Sequence, residues 1–397
     1  VGRNNKISEG DGEGILCCDR SHYRTDVCYL RGDVRTRSQN ASISLHKTGI
    51  VPTQEKIRPY TRKWEESVIN TIDEITLKTE DFTHLNSSCQ VHHAVPAIVF
   101  STGGYTGNVY HEFNDGLLPL YITSQHLRGE VVFVILEFHD WWMKKYEEIV
   151  KQLTNYPVID FSKDKRVYCF REMIVGLNIH DELSINPRRM KDERSIADFG
   201  ALLAKGYAPK LRAMIQEIPS GSKSKPKLVI ISRQKSRAMM NEKRIVRLAQ
   251  IIGFHVEILN PKRSTEMVEM FRAINSCDVM VGVHGAAMTH LLFMRPGAVF
   301  IQIVPLGADW AAATYYGEPA AKLGLKYLEY KILPEESSLY AEYEKNDPVL
   351  RDPGSINRKG WGETKRVYLD GQNVKPSLKR FKKTLLAAYA NAPIGFT

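Results

Sequence analysis

The chain has 397 residues, enough for two domains, since a single hydrophobic core stops growing well below that length. Its 43% hydrophobic and 25% charged content is that of a globular protein and excludes a disordered or fibrous one. A net charge of +10 admits nucleic acid, an anionic membrane surface or an anionic small molecule as partner. The basic residues are scattered, however, with short knots only at Arg188-Arg189 and 379–383, and no zinc-finger or RNA-recognition signature accompanies them. Nucleic acid is therefore set aside. No stretch approaches the roughly eighteen apolar residues of a membrane span.

In chain order, residues 1–93 are polar and read as an irregular extension. The start at Val1 is that of a trimmed chain, with any signal or membrane anchor expected to precede it. Cys17, Cys18 and Cys28 crowd one stretch, and Cys28 is expected to pair with Cys17 or Cys18. Cys169 and Cys277 lie in apolar surroundings and are expected to be free thiols. The sequons at Asn40 and Asn86 fall in polar segments suited to N-glycosylation. Together these features favour an oxidising, secretory compartment. A zinc site from Cys17, Cys18, Cys28 and His22 would need adjacent ligands, which departs from the usual spacing, so no metal site is expected.

From Ala94 the pattern alternates strand and helix. Strands are expected at 94–100, 130–136, 166–170 and 173–177, with helices at 109–125, 141–153, 195–207 and 209–217. The Pro- and Gly-punctuated stretch 219–226 reads as a linker. A second series follows, with strands at 227–231, 255–259, 279–283, 298–304 and 326–332. Its helices are expected at 241–253, 265–277, 286–294 and 311–323. The reading is an α/β protein of two Rossmann-like, doubly wound halves facing a cleft. Residues 1–218 form the first domain and 227–375 the second. A final helix in 376–397 is expected to pack back on the first domain.

Three segments sit where such sheets bind ligands, beyond the carboxyl ends of strands. The first is VGVHGAAMTH at 281–290, where a strand ends in His284-Gly285 and a helix of small residues begins. Free N–H groups of a helix's first turn and its dipole make a phosphate cradle, to which His284 could add a charge-assisted bond. The second is ISRQKSR at 231–237, which concentrates Arg233, Lys235 and Arg237 at a strand end; arginine forks grip phosphate bidentately. The third is GGYTGNVYHEFND at 103–115. It does not fit G-x-G-x-x-G, so a dinucleotide fingerprint is rejected. It does bring His111, Glu112 and Asp115 to the start of a helix, and a His–carboxylate pair four residues apart suits general-base deprotonation of a hydroxyl. Solvated loops and structural histidines would show the same local spacings. No D-x-D is present, so a nucleotide held by arginines and a helix start, without a metal ion, is expected.

These segments, with Cys18-Asp-Arg-Ser, Asp26-Val-Cys28 and IQIVP at 301–305, resemble the family-61 glycosyltransferases, specifically the plant branch that decorates xylan. The resemblance covers nearly the whole chain; Ala287 and His290 stand where many relatives carry Gly and Asn. It implies a GT-B fold, a type II Golgi protein with its catalytic domain in the lumen, a UDP-sugar donor, no cofactor, and inversion at the anomeric carbon. A xylan or xylo-oligosaccharide acceptor and UDP-xylose with β-1,2 transfer are the expected substrates. α-1,3-Arabinofuranosyl transfer is the alternative, and an inactive carbohydrate-binding relative a further one. The nucleotide-sugar contacts expected are Arg233, Lys235, Arg237, His284, Gly285, Ala286, Ala287, Thr289, Gly107 and Asn108. Asp115, Glu112 and His111 are the candidate bases, His111 either acting itself or forming a relay with Asp115.

Overall fold

A computed structural model describes residues 14–47, 52–81, 88–214 and 225–393. They divide into two compact units, one within Val1–Thr106 and Asn114–His180, the other within Gly107–Phe113 and Asp181–Thr397.

The first unit is built on a mixed sheet. Its strands are β1 (Ile15–Asp19), β2 (Val27–Arg37), β3 (Ser42–His46), β4 (Gln54–Ile57), β5 (Ile75–Glu80), β6 (Val91–His92), β7 (Ala97–Ser101), β8 (Val132–Leu136), β9 (Ile159–Asp160) and β10 (Tyr168–Val175). Their order is β4-β5-β3-β2-β10-β7-β8-β9, with β1 paired to β2 and β6 to β10. AIVFS of β7 and VFVIL of β8 are buried throughout, as continuous apolar strands between parallel partners should be. The strands before β7 correct the expectation of an irregular extension. In β2, Cys28, Leu30 and Val34 face the core while Tyr29 and Arg31 are exposed, so a chain that reads as polar still lines the core with every second residue. Likewise β10 is one strand where two were expected, with a register shift between Phe170 and Glu172.

Cys18 lies opposite Cys28 in the β1–β2 pair and is bonded to it; Cys17 is exposed and free. Cys277 is a buried free thiol, but Cys169 is not free: it is bonded to Cys89. The parallel pairing of β6 with β10 places His92 beside Cys169 and so brings the preceding Cys89 within reach, a proximity that local spacing does not show.

The second unit holds a five-stranded, all-parallel sheet of β11 (Lys227–Ile231), β12 (His255–Leu259), β13 (Val279–Val283), β14 (Val299–Val304) and β15 (Lys326–Lys331). The order β12-β11-β13-β14-β15 reverses at β11, so the topological switch point lies between the carboxyl ends of β11 and β13. Helix Ile196–Met214 belongs to this unit, not the first: the Tyr207 ring lies 5.0 Å from Phe271 and Phe199 lies 6.4 Å from Phe113. That packing carries the helix through Pro209, where a break was expected. The 219–226 stretch lies mostly outside the described residues. The last helix, Leu378–Asn391, also buries its apolar face on the second unit rather than on the first. Phe381 meets Tyr330 edge-on at 4.9 Å, and Tyr389 meets Phe254 at 5.1 Å. No helix of the described residues is long and apolar enough to cross a membrane.

Candidate functional site

The loop after β11 is strained and firmly held. Arg237 has φ +55°, a left-handed conformation that costs a residue other than glycine about 1–3 kcal/mol and persists only where its surroundings enforce it. Its N–H donates to the Gln372 carbonyl at 2.7 Å, and the N–H groups of Ala238 and Met240 donate to Asn373 Oδ1 and the Val374 carbonyl at 2.9 and 2.8 Å. Gln372 is itself fully buried, donating to the carbonyls of Leu306 and Tyr368 and accepting from Ser337 Oγ.

This loop turns both arginines onto the end of β13. Arg233 Nε donates to the Ser236 carbonyl at 3.0 Å, and Arg237 Nη1 lies 3.3 Å from the His284 carbonyl. A Cβ on Gly285 would stand 2.7 Å from Arg233 Nη1 and 2.9 Å from Arg237 Nη1, and Gly285 has φ +149°, so only glycine fits beneath the pair. Among the described residues neither guanidinium has a carboxylate within 4.0 Å; Asp370 and Tyr316 act on them only through space. Arg237 Nε is buried without a hydrogen-bond partner. Burial lowers the pKa of both, and with the added repulsion of Arg233 that of Arg237 falls to about 10. Two adjacent, unpaired cations are arranged to receive an anion that accepts several hydrogen bonds, as a diphosphate does. Lys235, between them in sequence, is exposed.

His284 is buried, and burial with the two nearby arginines pulls its pKa down to about 3, so a bond from it to a phosphate oxygen would come from a neutral N–H and not from an imidazolium. Its protonation is fixed from β14. The Tyr327 hydroxyl donates to Gln302 Oε1 at 2.8 Å, leaving Gln302 Nε2 to donate to His284 Nδ1 at 2.8 Å. The proton of His284 therefore sits on Nε2, as a neutral donor. Gln302, in the fully buried VFIQIV strand, was not among the expected site residues; a polar residue inside an apolar strand is the only local signal of it.

The segment after Gly285 is a 3-10 helix, Ala286–Phe293, where an ordinary helix start was expected. Ala286 and Ala287 are half-buried at its first turn, while Thr289 and His290 are buried, with His290 Nδ1 at 2.7 Å from the Ala287 carbonyl.

The turn Val109–His111 packs on this 3-10 helix within the second unit. Asn108 caps it by accepting from the Tyr110 N–H at 3.0 Å. Gly107, at φ +87°, donates its N–H to Glu112 Oε1 at 2.6 Å, and a Cβ there would lie 3.6 Å from Arg263, in the loop after β12. The Tyr110 ring lies 5.2 Å from His111 and 6.1 Å from Tyr316, whose ring is 5.4 Å from His284. Three ring contacts thus link His111 to His284.

Beyond His111 the helix is a π segment, Glu112–Leu117, followed by Leu118–Ser124, so the four-residue spacing of an α-helix does not apply between 111 and 115. Asp115 falls in the first unit and is fully buried there. Its carboxylate accepts from Arg62 Nε at 2.7 Å and Asn114 Nδ2 at 2.7 Å, with Arg24 Nη2 at 3.6 Å. Asn40 is exposed at a 3-10 turn, whereas Asn86 lies outside the described residues. Among the described residues Cys89, His92 and Cys169 are close enough to share a metal ion, but two of them are bonded to each other.

This is an α/β protein with an arginine pair, without a carboxylate partner among the described residues, at the switch point of a parallel sheet, which is the chemistry an anionic ligand requires. The sequence signature of glycosyltransferase 61 matches residues 111–301, a span that includes His111, both arginines and His284. Over 98% of its length the chain is 51% identical to the xylan glycosyltransferase MUCI21 of Arabidopsis thaliana, covering 83% of that protein. It is 38% identical to the β-1,2-xylosyltransferase XYXT1 of Oryza sativa subsp. japonica, over 96% of this chain and 86% of that one. It is also 38% identical to the α-1,3-arabinosyltransferase XAT3 of the same species, over 94% and 65%. The chain belongs to glycosyltransferase family 61 and is a glycosyltransferase.

Proposed function

We propose that this enzyme moves a pentose from a UDP-sugar to xylan with inversion at the anomeric carbon, the donor being UDP-xylose and the linkage β-1,2. The observation that carries this reading is the pair Arg233 and Arg237, unpaired over Gly285 at the switch point. In the proposed reaction an acceptor hydroxyl attacks C1 as the bond to UDP breaks, through an oxocarbenium-like transition state. Charge growing on the departing diphosphate is taken up by Arg233 and Arg237 and by the Nε2–H of neutral His284. His111 takes the acceptor proton, because Glu112 caps the Gly107 N–H and Asp115 neutralises Arg62. The reading takes the fold to be the two-Rossmann GT-B type and needs no metal ion. Lysine 235, Thr289, Ala286, Ala287, Gly107 and Asn108 remain proposed donor contacts. The two disulfides support an oxidising, secretory or Golgi-type location, and a Golgi lumenal enzyme is proposed.

α-1,3-Arabinofuranosyl transfer is the second reading, favoured by a relative as similar as the xylosyltransferase. A screen of UDP-xylose against UDP-arabinofuranose with xylohexaose, with linkage assigned by NMR, decides between them. A β-1,2-xylosyl product is expected; an α-1,3-arabinofuranosyl product would move the assignment to the alternative. Activity that disappears with EDTA and returns with manganese would contradict the metal-free reading.

A further inference from the structure

Two of the largest exposed side chains in the second unit stand together. Trp310 is 45% and Trp361 50% exposed, and their rings meet edge to face at 5.9 Å. Half-exposed tryptophans cost solvation, and an aromatic cluster left open to water on a rigid base is characteristic of a binding surface. The base here is rigid. Trp310 lies in the first turn of the helix Asp309–Ala312, beyond the carboxyl end of β14, the ligand side of the sheet. Gly307, at φ +72°, lies so close to the Tyr368 ring that a Cβ would stand 2.2 Å from it, and its carbonyl accepts from Asn357 Nδ2 at 2.9 Å. Trp361 opens the neighbouring helix Trp361–Thr364, whose Thr364 hydroxyl donates to Asn357 Oδ1 at 2.8 Å.

The cluster is continuous with the candidate centre. Trp310 lies 5.7 Å from Tyr315, Tyr315 lies 5.4 Å from Tyr110, and Tyr110 lies 5.2 Å from His111. An unbroken line of rings therefore runs from the proposed base to the exposed tryptophans. Resting on the transferase reading above, we propose that Trp310 and Trp361 form a platform for the acceptor polysaccharide, binding pyranose units one or more residues away from the sugar that is modified. The chemistry fits a pentopyranose backbone. A pyranose presents C–H groups on its faces and hydroxyls at its rim, and a xylose unit has no hydroxymethyl group to hold its face off an indole. Aromatic faces would then supply contact area while the hydroxyls stay in water.

The test is affinity electrophoresis of the purified protein in gels containing xylan, mixed-linkage β-glucan or mannan, with thermal melting as a check on folding. Wild type should be retarded by xylan, and Trp310→Ala and Trp361→Ala should each weaken that retardation by about three- to tenfold, the value of one aromatic contact. Trp310→Phe, which keeps a ring, should retain most of it. The transfer assay should agree: the KM of xylohexaose should rise by a similar factor in the alanine variants and that of xylobiose much less. Unchanged retardation in both alanine variants, or none by any polysaccharide in wild type, would overturn the platform. Retardation by a different glycan that is lost in the variants would keep the platform and overturn xylan as the acceptor. Normal xylan transfer with length-independent KM changes would overturn the platform alone.

Discussion

Each unit of this enzyme holds two arginines close together in low-dielectric surroundings, and the two pairs have opposite fates. In the first unit Arg24 and Arg62 close on the buried Asp115, with the Trp64 ring about midway at 5.1 and 5.0 Å. In the second unit Arg233 and Arg237 close on Gly285, a residue with no side chain to answer them. The first pair has its carboxylate within the protein. The second has no carboxylate within 4.0 Å among the described residues, and the proposed diphosphate would supply one anion to both. Burying a charge costs several kcal/mol unless it is paired, so an unanswered pair is a more telling sign of a ligand than the count of basic residues in its loop.

The comparison breaks most visibly at Asp115. Asp115→Ala would leave Arg24 and Arg62 buried without their carboxylate, and about 3–5 kcal/mol of stability should be lost, read as a fall in urea midpoint. A variant as stable as wild type that lacks only turnover would return Asp115 to the list of bases. The next effect is a pH dependence from His284. Its folded pKa, about 3, lies below that of an unfolded histidine, so between these values the unfolded chain binds more protons. Stability should therefore fall as pH drops from neutrality, with a contribution from this group of about 2 kcal/mol at pH 5. His284→Gln should flatten that part of the profile, and an unchanged slope would mean that the imidazole is not held neutral.

A smaller effect is expected at Gly285. In Gly285→Ala the added methyl meets both guanidinium groups, and UDP affinity should fall about tenfold, roughly one charge-assisted contact. Calorimetry giving wild-type affinity would show that the pair has no fixed place over this residue. Smallest of all should be the effect of Arg237→Ala on the stability of the unliganded protein, unchanged or slightly raised, because it removes an unpaired cation. A loss as large as that at Asp115 would erase the contrast between the two pairs.

The parallel half of the fold was legible because its strands are continuous apolar runs ended by turns, as at LVII in β11 and VMVGV in β13. The sheet of the first ninety residues was not, because strands such as QEKI in β4 offer alternate side chains to the core and read as polar. The loop arginines and Gly285 could be placed at the site from strand-end position alone. Gln302, Tyr316 and Gln372 could not: each has a partner 18 or more residues away that local sequence does not show, as in the contact of Gln302 with His284, of Tyr316 with His284 and of Gln372 with Leu306. The Cys89–Cys169 bond escaped for the same reason, since only the pairing of β6 with β10 brings the two together.

The arginine pair is the proposed seat of the diphosphate. The most direct test is titration calorimetry of UDP into wild type and into Arg233→Ala/Arg237→Ala, with a melting curve for each. The double variant should melt with wild type and bind UDP at least about a hundredfold more weakly, the loss of two charge-assisted contacts of about 1.5–3 kcal/mol each. UDP bound with wild-type affinity by a folded double variant would contradict it.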